Sequence, residues 1–159
     1  MQGELFKGRT AIVTGGARGI GLACAAKISA GGARVALWDR DIEQAEKSAA
    51  SLAGAIAVAV DVTSEESVAE ALAATEKRLA SPDVMIASAG ITGPNMKTWE
   101  YSSKDFRAVQ EVNLMGTFHC CKALVPGMMA RDYGRIVKIE VNQRYPLKEA
   151  GQCHIDVQI

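Results

Sequence analysis

Short apolar runs and longer stretches of helical period alternate along this chain. Residues 10–13 (TAIV) form a β-branched run that ends in a glycine cluster, Gly15, Gly16, Gly19 and Gly21. Residues 20–30 are rich in Ala and predict a helix that stops at Gly31-Gly32, a pair suited to a helix C-cap. A second strand is expected over 34–38, then an acidic turn and a helix over 43–52. The unbroken small apolar run 55–60 (AIAVAV) predicts a third strand buried on both faces. Thr63-Ser64-Glu65-Glu66 reads as a capping box, with the Thr63 hydroxyl accepting from the third helical N–H and Glu66 reaching back. The helix it opens, over 64–79, places Val68, Leu72, Thr75 and Leu79 on one stripe, and Pro82 ends it. Val84–Ala87 is the fourth strand. A loop over 93–102 holds Pro94, Asn95 and Trp99. It leads to a long helix expected over 103–125, with Pro126-Gly127 near its end, and to a fifth strand over 135–139.

Five strands separated by four helices predict an α/β fold, a parallel sheet covered on both faces. Right-handed crossovers make it doubly wound, with ligands at the carboxyl ends of the strands. The expected organisation is one dinucleotide-binding unit over 1–139 and an irregular tail over 140–159, which has no clear period.

Composition narrows the function. Eighteen basic residues balance eighteen acidic ones, for a formal net charge of +0, so no general attraction to nucleic acid or to an anionic membrane is expected. No run of about 18 apolar residues is present, and no membrane span is expected. The N-terminus lacks an apolar stretch of signal-peptide length, which makes the cytoplasm the default compartment. Cys24, Cys120, Cys121 and Cys153 form no C-x-x-C pair and have no His at ligand spacing. Packed, reduced thiols are expected, and no metal site.

The candidate chemistry sits where the first strand meets the first helix. Gly15, Gly19 and Gly21 follow a G-x-x-x-G-x-G spacing. The first permits a sharp turn off the strand, the second a close backbone approach to a pyrophosphate, and the third tight packing of helix on sheet. The helix N-terminus then offers unpaired N–H groups and the positive end of its dipole to phosphate. A nucleotide P-loop would need Gly-Lys-Ser/Thr, and that lysine is missing. The G-x-G-x-x-G motif fails too, because Cys24 stands in the third glycine's place.

Thr14-Gly15-x-x-x-Gly19-x-Gly21 resembles the signature turn of the short-chain dehydrogenase/reductases, including members such as 3-oxoacyl-acyl-carrier-protein reductases. The resemblance runs from about Lys7 to Ile139 and implies a Rossmann-type fold that binds NAD or NADP. It assigns Gly15, Arg18, Gly19, Ile20 and Gly21 to the cofactor. Asp39, 18 residues after Gly21, would accept from the adenosine ribose hydroxyls and repel a 2′-phosphate, favouring NAD over NADP. Arg40 beside it would instead welcome that phosphate. Asp61 and Val62 match the adenine-contacting pair. Ser88-Ala89-Gly90 stands where the family has Asn-Asn-Ala-Gly, with Ala87 and Ser88 replacing the two asparagines. Asn113 matches the helix Asn that the family uses to hold a proton-relay water, and it is the one catalytic residue carried over.

The implied activity is hydride transfer between nicotinamide and an alcohol or ketone, with sugar, steroid and acyl-carrier substrates all open. The family moves its proton through a Tyr activated by a Lys four residues later, and places a Ser just beyond the fifth strand. Here Glu140 and Val141 stand at the Ser position. Tyr145 and Lys148 are three apart with Pro146 between them, and His154 and Gln158 occupy the later positions. A truncated or frame-shifted product that binds a dinucleotide without turnover is the alternative expectation. Assembly into homo-oligomers through the long helix is expected from the family.

Overall fold

The computed structural model describes residues 5–139. The readings made on Tyr145, Lys148, Cys153, His154 and the 140–159 tail lie outside them. Five parallel strands form one sheet in the order β3-β2-β1-β4-β5. They are β1 (Thr10–Thr14), β2 (Arg34–Asp39), β3 (Ile56–Ala59), β4 (Val84–Ala87) and β5 (Arg135–Lys138). The order reverses between β1 and β4, which places a topological switch point at the middle of the sheet.

Strand alternation divides the core in two. Ala11, Val13, Val35, Leu37, Val84 and Ile86 face α1 (Gly19–Ala30) and α2 (Ile42–Ala49), where Ala25, Ile28, Ala45 and Ala49 receive them. Ile12, Ala36, Trp38, Met85 and Ala87 face the other way. There they meet Val68 and Ala71 of α3 (Glu65–Arg78) and Cys120, Leu124 and Met128 of α5 (Gly116–Ala130). Of the predicted stripe on α3, Val68 and Thr75 are fully enclosed and Leu72 and Leu79 partly so, while Ala71 is the third buried residue. Trp38 is the largest fully buried side chain, and its Nε1–H donates to the Thr75 hydroxyl at 2.9 Å. That hydroxyl in turn donates to the Ala71 carbonyl at 2.8 Å, so no polar atom of the pair is left unsatisfied.

Four expectations need correction. β3 lies at a sheet edge, so only Ala57 and Val58 are buried while Ala59 is exposed. The cap of α3 is Ser64 and not Thr63. The Thr63 hydroxyl is already committed to the Asp61 carboxylate at 2.7 Å, and Ser64 Oγ accepts from Ser67 N–H instead. The long helix is not uniform: α4 (Ser103–Gln110) passes through a π-turn at Glu111–Met115 into α5. Finally, α5 runs past Pro126 to Ala130, because Leu124 and Met128 on either side of the proline are both buried against the sheet. Tertiary packing there outweighs the one missing backbone bond.

Candidate functional site

The ends of the strands and the turns beyond them open onto one cleft of about 1150 Å³ at the switch point. Its floor begins at the glycine turn. Gly15 has φ +64°, and a Cβ there would lie 3.0 Å from both the Cα and the N of Ala89. The turn after β1 and the turn after β4 therefore touch through backbone. Thr14 fastens the same junction, its buried hydroxyl accepting from the N–H groups of Ser88 and Ala89 at 3.1 Å. Gly21 sits directly against the carbonyl of Gly15, which seats α1 close to the strand. Behind the turn, Ser48 of α2 donates to the Ala17 carbonyl at 2.7 Å.

α1 differs from its neighbours at the N-terminus. Asp41, Ser64 and Ser102 each cap a helix with a side-chain oxygen, whereas Arg18 before α1 makes no such bond and the first turn holds no acid. The first-turn N–H groups of α1 are thus left for an outside acceptor. Gly19, at φ +57°, has open space where a side chain would be.

At the far side of the turn, both oxygens of Asp39 accept backbone bonds, from Ala17 N–H and from Asp41 N–H, each at 3.0 Å. This locks the carboxylate at the lip of the cleft. The Arg18 guanidinium is paired with Asp41. Beyond β3, the Thr63 hydroxyl and then the Thr63 N–H donate to Asp61 and hold its carboxyl below the ordinary 3.8, with a smaller contribution from Arg40. Val62 is pinned from behind: the His119 Nδ1–H donates to its carbonyl at 3.0 Å, and only a glycine at 116 leaves room for its side chain. Glu65 draws this corner together by accepting from Lys122 at 2.7 Å, which keeps its carboxyl low.

Asn113 lies in the π-turn and grips the segment after β4. Its Oδ1 accepts from Ile91 N–H at 2.8 Å and its Nδ2 donates to the Ile91 carbonyl at 3.0 Å. Its side-chain amide is thus committed to Ile91, and its own carbonyl accepts from the Thr117 hydroxyl at 2.9 Å. Among the residues expected at the cofactor, Gly15, Arg18, Ile20, Gly21, Asp39, Asp61, Val62, Ser88, Ala89 and Gly90 all line this cleft, as does Asn113; Gly19 is the exception. No role for Thr14, Ser48 or His119 follows from the sequence. A His within an otherwise apolar helix segment was the available signal for the last. Cys121 and Lys138 also line the cleft, and the neighbouring Cys120 thiol is pushed up to about 12, chiefly by burial and secondly by Cys121.

The family model described as short chain dehydrogenase matches residues 9–147. The chain belongs to the short-chain dehydrogenase family. Among curated relatives, it is 41% identical over 134 residues to 2-dehydro-3-deoxy-L-rhamnonate dehydrogenase (NAD(+)) of Sphingomonas sp. (strain SKA58), covering 84% of this chain and 54% of that protein. It is 34% identical over 137 residues to L-fucose dehydrogenase of Oryctolagus cuniculus, covering 86% and 48%. A crystal structure named ribose-5-phosphate isomerase, from Brucella melitensis 16M, superposes with a TM-score of 0.82 at 34% identity, over 93% of this chain and 58% of that one. This short-chain dehydrogenase chain spans about half the length of the curated relatives it matches. Among its described residues no helix is long and apolar enough to cross a membrane, and no group of three or more His, Cys, Asp or Glu is placed to hold a metal ion.

Proposed function

We propose that the cleft binds NAD, and that the protein serves hydride transfer between nicotinamide and the hydroxyl-bearing carbon of a sugar or sugar acid. The observation that carries this reading is the uncapped N-terminus of α1 facing the one cleft on which the turns after β1, β2, β3 and β4 converge. Such an end is suited to a pyrophosphate. Held by its two backbone donors, the Asp39 carboxylate would accept from ribose hydroxyls and repel a 2′-phosphate. Asp61 and Val62 would flank the adenine. The Ser88–Gly90 turn, held by Thr14, would bring backbone against the nicotinamide half. Bound there, NAD supplies the hydride acceptor for oxidation of an alcohol.

Asn113 is assigned to positioning in this scheme: it fixes the segment at Ile91 that borders the reacting end. The substrate class is proposed from the names of the two curated relatives, one acting on a sugar acid and one on a sugar.

A second reading, a dinucleotide binder without turnover, is favoured by the sequence after Ile139. Glu140 and Val141 replace the family's Ser, and Tyr145 and Lys148 are separated by the wrong interval. Two measurements on the full chain separate the readings. NAD reduction with a panel of sugars and aldonic acids supports the enzyme. Saturable NADH fluorescence enhancement with no turnover supports the binder, and neither signal overturns both.

A further inference from the structure

Two guanidinium groups, Arg18 and Arg40, line the part of the cleft beside Asp39. Either could supply the counter-charge for an adenosine 2′-phosphate. Neither stands alone. Arg18 Nη2 contacts Asp41 Oδ2, and Arg40 lies near enough to Asp61 to help hold that carboxyl down. Three carboxylates therefore face two guanidiniums at this lip. Asp39 is locked by backbone donors and cannot swing away from a phosphate.

Resting on the NAD reading above, we propose that Asp41 is a second specificity-determining residue: by pairing with Arg18 it withholds the guanidinium that a 2′-phosphate would need. Asp39 repels such a phosphate, and Asp41 removes its partner. Discrimination is divided between a contact that is unfavourable and one that is denied. As an exposed pair, Arg18–Asp41 adds little to stability, so its main consequence lies in where it holds the arginine. Asp41 also caps α2, its Oδ1 accepting from Gln44 N–H at 3.2 Å. Asparagine caps equally well, so Asp41→Asn removes the charge and keeps the helix start.

The test is the ratio of NADPH to NADH dissociation constants, read by nucleotide fluorescence on the full chain. It compares the wild type with Asp41→Asn, Asp41→Glu, Arg18→Ala and the Arg18→Ala/Asp41→Asn double variant. Asp41→Asn is expected to shift the ratio toward NADPH by about two- to fivefold, the worth of one exposed ion pair. Asp41→Glu, which retains the charge, is expected to keep the wild-type ratio. In the double variant the gain should vanish, because Arg18 is the group released. A gain that survives in the double variant overturns the proposal, since removal of negative charge alone would then explain it. An unchanged ratio in Asp41→Asn, with NADH binding intact, overturns this inference and leaves the NAD reading standing. A wild-type chain that binds neither nucleotide overturns the NAD reading and this inference with it.

Discussion

Gly21→Ala is the most informative single change at the glycine turn. A Cβ on Gly21 overlaps the carbonyl oxygen of Gly15 and lies 2.9 Å from its carbonyl carbon and 3.3 Å from Gly16 Cα. All three neighbours are backbone, so no side chain can rotate away to relieve the contact. The chain must either lift α1 off the sheet or distort the turn at Gly15, which already touches Ala89. Overpacking costs about 1–3 kcal/mol, and the absence of any flexible neighbour puts this site near the top of that range. For a domain of this size the loss corresponds to roughly a 6–12 °C fall in melting temperature. Gly19→Ala is the matched control. It meets no atom within 4 Å and incurs only its left-handed φ of +57°, a cost of about 1–2 kcal/mol. Thermal melts followed by circular dichroism on both variants provide the assay. A Gly21→Ala protein that melts within a degree or two of wild type, or above Gly19→Ala, would refute the packing argument.

Further outcomes follow from other contacts. Thr75→Val leaves the buried Trp38 indole N–H without its acceptor; a loss of about 1–3 kcal/mol is expected in urea unfolding, and a midpoint unchanged from wild type would contradict it. Asp61 is expected to titrate below 3.8 by carboxyl-carbon NMR, and Thr63→Val should move it up toward that value. Because the folded carboxyl is the stronger acid, the unfolded chain binds more protons in that window. The Asp61 contribution is therefore present above about pH 3.8 and lost as pH falls through the lower folded value. Asn113→Leu removes both bonds to Ile91, each worth about 1 kcal/mol, and should speed amide exchange at Ile91; unchanged exchange there would show that Asn113 does not hold the segment.

Much of the fold was legible because its elements announce themselves locally. The burial of β1, β2 and β4 follows apolar runs, and Gly31-Gly32 ends α1 as expected. The parts that were not legible depend on partners distant in sequence. Whether Thr63 or Ser64 caps α3 is decided by Asp61, which claims the threonine hydroxyl first. The π-turn at Glu111–Met115 leaves no periodic signature; within it Asn113 meets the backbone of Ile91, 22 residues earlier. The edge position of β3 is a matter of strand order, on which its composition is silent. In the candidate site, the glycine turn stands out by its spacing, and Asp39 is named by the family resemblance. Thr14, Ser48 and His119 were not legible, because each acts through a bond to another turn's backbone.

If the cleft at the switch point holds NAD with its pyrophosphate against α1 and its ribose against Asp39, nucleotide preference must depend on that carboxylate. Calorimetric titration of the full chain with NADH, run beside NADPH and beside Asp39→Ala, decides this. Saturable one-to-one binding is expected, tighter for NADH than for NADPH, with that preference reduced in Asp39→Ala. Absence of binding at millimolar NADH, or a preference indifferent to the loss of Asp39, would contradict this placement.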